Sequence, residues 1–183
     1  MIIFNREKYL SAHGSLTDAQ AQEIDFICRE FKTFGLMKDY RHLAYILATV
    51  KHETANTFLP IEEYGKGKGQ SYGQEVNGHR YYGRGYVQLT WLTNYRKMTA
   101  RLNQLGIDCD LENNPEQALD TKIALWIMFV GMHEGIFTGK KLSDYINEHD
   151  EDSISARKVI NGKDKAKMIS EYYRKFKQSL EVI

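Results

Sequence analysis

Apolar residues recur at helical spacing along most of the chain and lose that spacing in one long stretch near its middle. Ile24, Ile27, Cys28, Phe31 and Phe34 mark one face of a helix that starts at a capping box, Thr17 with Gln20 three residues on, and stops at Gly35. Asp39 caps a second helix, in which Leu43, Ile46, Leu47 and Val50 form a stripe running up to His52-Glu53-Thr54. A carboxylate therefore stands at the exit of a core helix. Over residues 57–85 the period disappears, and seven of the fourteen glycines fall between Gly65 and Gly85, which predicts loops, tight turns and a small β-hairpin. Residues 86–89 read as a short strand, and Thr90 is placed to cap a helix carrying Leu92, Tyr95, Met98, Leu102 and Leu105 and closed by Gly106. Asn114-Pro115-Glu116 opens a further helical region, apolar on nearly every side through Ile123, Leu125, Trp126, Ile127, Phe129 and Val130, the expected core axis. Two shorter helices are predicted over 142–148 and 153–160, with Asn161-Gly162 breaking the second. A last amphipathic helix carries Ala166, Ile169, Tyr173, Phe176 and Leu180. The fold class expected is mainly α with a glycine-rich insertion. No repeat, linker or composition break divides the chain, so 1–183 is read as a single domain.

Composition narrows the function classes. A length of 183 residues is enough for a core that needs neither disulfides nor a structural metal. Cys28 and Cys109 are too few for a disulfide framework and lack zinc or redox spacing. The net charge of +1 and the glycine-tyrosine insertion argue against a nucleic-acid binder. That neutrality sums two unlike parts. From Asp108 to Ser153 eleven acidic residues face three lysines, whereas from Ala156 to Ile183 eight basic residues face three acidic ones. Lys163, Lys165, Lys167, Arg174, Lys175 and Lys177 are read either as a solvated helix face or as a patch that draws the protein to an anionic surface such as outer-membrane lipid. The N-terminal apolar run, Ile2 to Phe4, is too short for a secretory signal, which predicts synthesis and retention inside a cell.

Several chemistries fail on spacing. His52-Glu53-Thr54-Ala55-Asn56 begins like a zinc-protease helix but has Asn56 where the second imidazole is required, so no metal is expected. Gly65-Lys66-Gly67-Lys68-Gly69 lacks the glycine register of a phosphate loop, so no nucleotide cofactor is expected either. What remains is a set of carboxylates. Glu53 is followed nine and ten residues later by Glu62 and Glu63, beyond Pro60, a separation that lets the chain reverse and set two carboxyls across a cleft. A carboxyl among apolar groups keeps its proton and serves as general acid, while a wetter one stays ionised and activates water, the division of labour of glycoside hydrolysis. Gln88, Trp91, Asn94 and Tyr95 add amide and aromatic groups of the kind that pair sugar hydroxyls and lie against sugar rings.

Taken together, His52-Glu53-Thr54, Pro60-Ile61-Glu62-Glu63-Tyr64-Gly65, the block from Gly83-Arg84-Gly85 through Gln88-Leu89-Thr90 to Asn94-Tyr95, and Ile160-Asn161-Gly162 resemble the family 19 glycoside hydrolases. More closely, the set is similar to single-domain bacteriophage endolysins with that lysozyme-like fold, from about residue 15 to the C-terminus. The resemblance implies a two-lobed helical domain, Glu53 as general acid, and Glu63 as the base that deprotonates water; the Pro-Ile-x-Glu-x-Gly context chooses Glu63 over Glu62. It further implies that Thr90 helps to hold the water, and that Glu62, Tyr64, Arg84, Gln88, Trp91, Asn94, Tyr95 and Asn161 bind sugar or support the cleft. Few cysteines, and Tyr86 where plant chitinases often carry proline, turn the expected substrate from chitin toward peptidoglycan. The implied protein is a monomeric muramidase-type endolysin, made in a host cytoplasm and reaching the wall once the membrane is permeabilised. A chitinase, a lytic transglycosylase and a non-catalytic wall-binding module are the alternatives.

Overall fold

The computed structural model describes residues 2–183 and is mainly helical, as expected from the periodicity. Helix α2, Asp18–Phe34, starts at the foreseen capping box: Thr17 Oγ1 accepts from the Gln20 amide at 3.2 Å, and Gln20 Oε1 accepts from the Thr17 amide at 2.9 Å. Helix α3, Tyr40–Glu53, is capped by Asp39, which accepts from the Arg41 amide at 2.9 Å. The nine residues from His42 to Val50 are all buried. This makes α3 the core element packed most heavily, chiefly against the last helix, α6, Ala166–Ser179. The apolar helix α5, Thr121–Glu134, shares that central place, but Ile123 and Trp126 remain half-exposed. In between lies α4, Leu92–Gln104.

Four expectations are corrected. Residues 86–89 form a turn; strand β5 is Arg84–Gly85, and Leu89 folds back to bond Arg84 in both directions, at 2.9 and 3.2 Å. Gly85 has a φ of 84°, a left-handed value natural to glycine, and it reverses the chain one residue earlier than the apolar run suggested. Thr90 does not cap α4, whose N-cap position is Trp91 without a side-chain bond. Asn114 opens only a tight 3₁₀ turn, Pro115–Leu119, and α5 starts afresh at Asp120, whose carboxylate accepts from the amides of Lys122 and Ile123 at 3.0 Å each. The helices expected over 142–148 and 153–160 shrink to 3₁₀ turns, Leu142–Asp144 and Ser155–Val159. There Asn147 and Asp152 side chains take the backbone amides of His149, Asp150 and Ser155, an alternative to helical bonding that these residues favour.

The glycine-rich stretch folds as two small ribbons. Strand β2, Ile61–Glu62, pairs with β5, and β3, Glu75–Val76, pairs with β4, His79–Arg80, as the predicted hairpin. One helix and the two terminal strands were not read from the sequence. Helix α1, Arg6–His13, is capped by Asn5, and strand β1, Ile2–Phe4, pairs antiparallel with β6, Leu180–Val182, tying the two ends of the chain together. Leu180, assigned to the last helix by its spacing, is the first residue of β6. The cysteines are buried and free; burial pushes the Cys28 thiol up to about 12 and the Cys109 thiol up to about 11, which disarms both as nucleophiles.

The α1 contact carries a pH prediction. His13 stacks on Tyr9 with ring centroids 4.1 Å apart, and burial, with Lys51 and Lys175 nearby, pushes its pKa down to about 4. The unfolded chain binds this proton near the ordinary 6.5, so stability is full above that pH and is lost as pH falls from 6.5 toward 4. The melting temperature should drop over this interval, and less steeply in His13→Leu. Equal slopes in the two proteins would show that His13 is not responsible.

Candidate active site

Glu53 is the last residue of α3. The helix stops there because the buried Thr54 turns its hydroxyl onto the Val50 carbonyl at 2.8 Å and accepts from the Phe58 amide at 3.0 Å. The next turn holds Ala55, Asn56 and Phe58 at φ values of 49°, 67° and 60°, a concentration of left-handed backbone that costs energy in non-glycine residues and tends to cluster at functional sites. Glu53 shares its cleft with the apolar Val87, Leu89, Phe137 and Ile160, but it also meets a charge. Arg157, with only 1% of its surface exposed, donates from Nη1 to Glu53 Oε1 at 2.6 Å and from Nε to the Asp164 carbonyl at 3.0 Å. A carboxylate at a helix C-terminus faces the negative end of the helix dipole, and the guanidinium supplies the opposite charge. Beside it, burial lowers the His52 pKa.

Glu63 follows β2 and is fixed at both oxygens. Tyr72 donates its hydroxyl to Oε1 at 3.0 Å, and the Gly83 amide donates to Oε2 at 3.1 Å. The backbone repeats the contact, Glu63 N–H to the Gly83 carbonyl at 2.8 Å. A Cβ at position 83 would lie 2.7 Å from Gln88 Oε1 and 3.2 Å from Gln88 Cβ, so a larger residue there would displace the Gln88 side chain. Glu62 faces elsewhere. It accepts from the Tyr82 hydroxyl at 2.8 Å and pairs with Lys66 at 3.0 Å, and these contacts, with Arg84, hold its pKa below the usual carboxylate value.

A cleft of about 430 Å³ brings Glu53 and Glu63 to one space. Its wall also includes Thr90, Trp91, Gln88, Asn94 and Asn161, five of the residues singled out from the sequence. Gln88 is anchored by its amide to the Ile61 and Gly85 carbonyls, at 3.0 and 3.2 Å. Trp91, at a φ of 71°, stands 48% exposed on the rim with Tyr72 edge-on to it, centroids 5.6 Å apart, and so offers an aromatic face to a sugar ring.

Four expected site residues lie outside this cleft. Glu62 is engaged as described. Tyr64 is 85% exposed and does not line the cleft. Arg84 and Tyr95 are buried scaffold: the guanidinium lies 3.7 Å over the Tyr82 ring and donates to the Tyr95 hydroxyl at 3.0 Å, which in turn donates to the Tyr82 carbonyl at 2.8 Å. This network holds the 80–85 backbone that aims Gly83 at Glu63. Residues missed as site members are Arg157, Val87, Phe137 and Thr138. The one sequence signal for Arg157 was a charge inside the apolar run Ile154, Ala156, Val159 and Ile160.

No protein-family model matches the chain, and no curated protein matches it in sequence. Among solved structures it is similar to chitinase C from Streptomyces griseus, with a TM-score of 0.59 at 21% identity over 96% of this chain and 91% of that one. A point mutant of the same chitinase gives a TM-score of 0.57 at 20% identity with the same coverage, 96% and 91%. The chain has the mainly α, lysozyme-like fold of these chitinases.

Proposed function

We propose that the protein is a glycoside hydrolase of the muramidase-type endolysin class, cleaving the N-acetylmuramic acid to N-acetylglucosamine bond of peptidoglycan. The observation that carries this reading is the single cleft supplied with two carboxylates from different elements, Glu53 and Glu63. The fold it shares with chitinases supports a glycan polymer as the substrate class.

In this mechanism Glu53 is the general acid. Arg157 holds Oε1, which leaves Oε2 to carry the proton and deliver it to the glycosidic oxygen as the bond breaks. Glu63, oriented by Tyr72 and the Gly83 amide, takes a proton from water as that water attacks the anomeric carbon. The attack comes from the face opposite the leaving group, so one displacement inverts the anomeric configuration. Thr90 positions the water, while Gln88, Trp91, Asn94 and Asn161 contact the sugars. No cofactor takes part. The protein works as a monomer, synthesised in a host cytoplasm and admitted to the wall when the membrane is opened.

Glu63→Gln should lower turnover of purified peptidoglycan by about 10²- to 10⁴-fold. Glu62→Gln should stay close to the wild-type rate, because Glu62 lies outside the cleft. The opposite ranking would move the base to Glu62. A chitinase is the second reading, favoured by the structural likeness itself; turnover of N-acetylglucosamine oligomers without turnover of peptidoglycan would select it.

A further inference from the structure

Past Asn161, on the cleft wall, the chain enters a basic loop. Lys163, Lys165 and Lys167, with Ile154, Ala166 and Met168, enclose a groove of about 560 Å³. The three lysines are exposed, and none joins an ion pair among the described residues. Of the acidic residues nearest in sequence, Asp152 caps the Ser155 turn, Glu171 stands four residues after Lys167 on α6, and Asp164, whose backbone carbonyl accepts from Arg157, keeps an exposed carboxylate between Lys163 and Lys165, so the three lysines leave this loop net positive. Lys163 is two residues from Asn161, a reach of at most about 7 Å along the backbone. Arg157 ties the two places together, since the same guanidinium grips Glu53 and the carbonyl of Asp164.

The groove combines free positive charge with aliphatic wall, and it is concave. A lipid bilayer presents a flat face, and insertion into it requires an unoccupied apolar helix face. Helix α6 has none to offer: Ile169, Tyr173 and Phe176 are buried in the core, and Lys177 is paired with Glu151. A short peptide bearing carboxylates and methyl side chains fits better. Such peptides branch from the muramyl sugars of peptidoglycan, and chitin has no counterpart. Resting on the function proposed above, we infer that this groove binds the carboxylate-bearing peptide stems of peptidoglycan beside the cleft and so selects peptidoglycan over neutral chitin.

The test is calorimetric titration of the Glu53→Gln protein, which holds substrate without cutting it, with a soluble muramyl disaccharide carrying a tripeptide stem and with the same disaccharide lacking the peptide. The stem should tighten binding about tenfold. Raising salt from about 50 mM to about 500 mM should erase that preference, as should Lys163→Gln, Lys165→Gln and Lys167→Gln together. The three Lys→Arg replacements at those positions should restore it. Equal binding of the two disaccharides, no measurable binding of either, or a preference that survives the triple Gln variant would overturn the inference. So would a triple variant that keeps the stem preference but no longer binds vesicles of anionic phospholipid, because the lysines would then serve lipid. Wild-type hydrolysis of purified peptidoglycan is scored separately: if it fails while the stem preference stands, the function proposed above falls and the groove does not.

Discussion

Glu53→Gln is expected to cut peptidoglycan hydrolysis by about 10²- to 10⁴-fold and to leave the fold intact. The amide is nearly isosteric with the carboxyl and keeps an oxygen to accept from Arg157 Nη1, which now donates at 2.6 Å. It cannot give a proton to the leaving oxygen. The expected pattern is therefore a melting temperature near that of wild type and almost no release of soluble fragments from purified walls. Turnover near the wild-type rate would remove Glu53 from the mechanism.

Arg157→Leu should act on stability as well as on rate. The arginine is nearly sealed and the Glu53 side chain is 13% exposed, so deleting the guanidinium strands a largely buried carboxylate and frees the Asp164 carbonyl. Removing one partner of a buried pair typically costs about 3–5 kcal/mol, which at this chain length lowers the melting temperature by roughly 6–20 °C. Combined with Glu53→Gln the loss should be smaller than the sum of the single losses, because the stranded charge is gone. Additive losses would show that Arg157 supports the fold independently of Glu53. Arg157→Lys should recover only part of the stability, since one ammonium cannot reproduce the fork that reaches Glu53 and Asp164 together.

What the sequence made legible was local. Thr17 with Gln20, Asp39 ahead of α3, and the stripe that ends at Glu53 are settled by side chains within a few residues of one another, and each is found where the pattern placed it. Pairings across the chain were not legible. The β1–β6 ribbon joins residues at opposite ends, and Arg157 meets Glu53 across a separation of 104 residues. Neither partner carries a local mark of the other. The adjacent carboxylates Glu62 and Glu63 show the same limit at short range. Successive side chains of an extended segment point to opposite sides, so one is directed into the cleft and its neighbour to Tyr82 and Lys66. Spacing alone left both available.

The motif block from Gly83 to Tyr95 was legible as a unit but not in its division of labour. Gln88, Thr90, Trp91 and Asn94 line the cleft, whereas Arg84 and Tyr95 turn inward and hold the loop from beneath. The tyrosine-rich stretch divides in the same way: Tyr72 touches Glu63, Tyr81 and Tyr86 are buried, and Tyr64 stands in solvent. The charge asymmetry is partly cancelled by folding, since Glu151 in the acidic stretch pairs with Lys177 of the basic end and with Arg41. Among the described residues Lys163, Lys165 and Lys167 join no ion pair, and neither do Lys158, Arg174 and Lys175 of the same basic end.

Mass spectrometry of purified peptidoglycan digested by the wild-type protein tests the central claim most directly. Soluble fragments with a hydrated N-acetylmuramic acid at the reducing end are the expected result. Fragments ending in N-acetylglucosamine, anhydro-muramic ends, or no release at all from walls would contradict it.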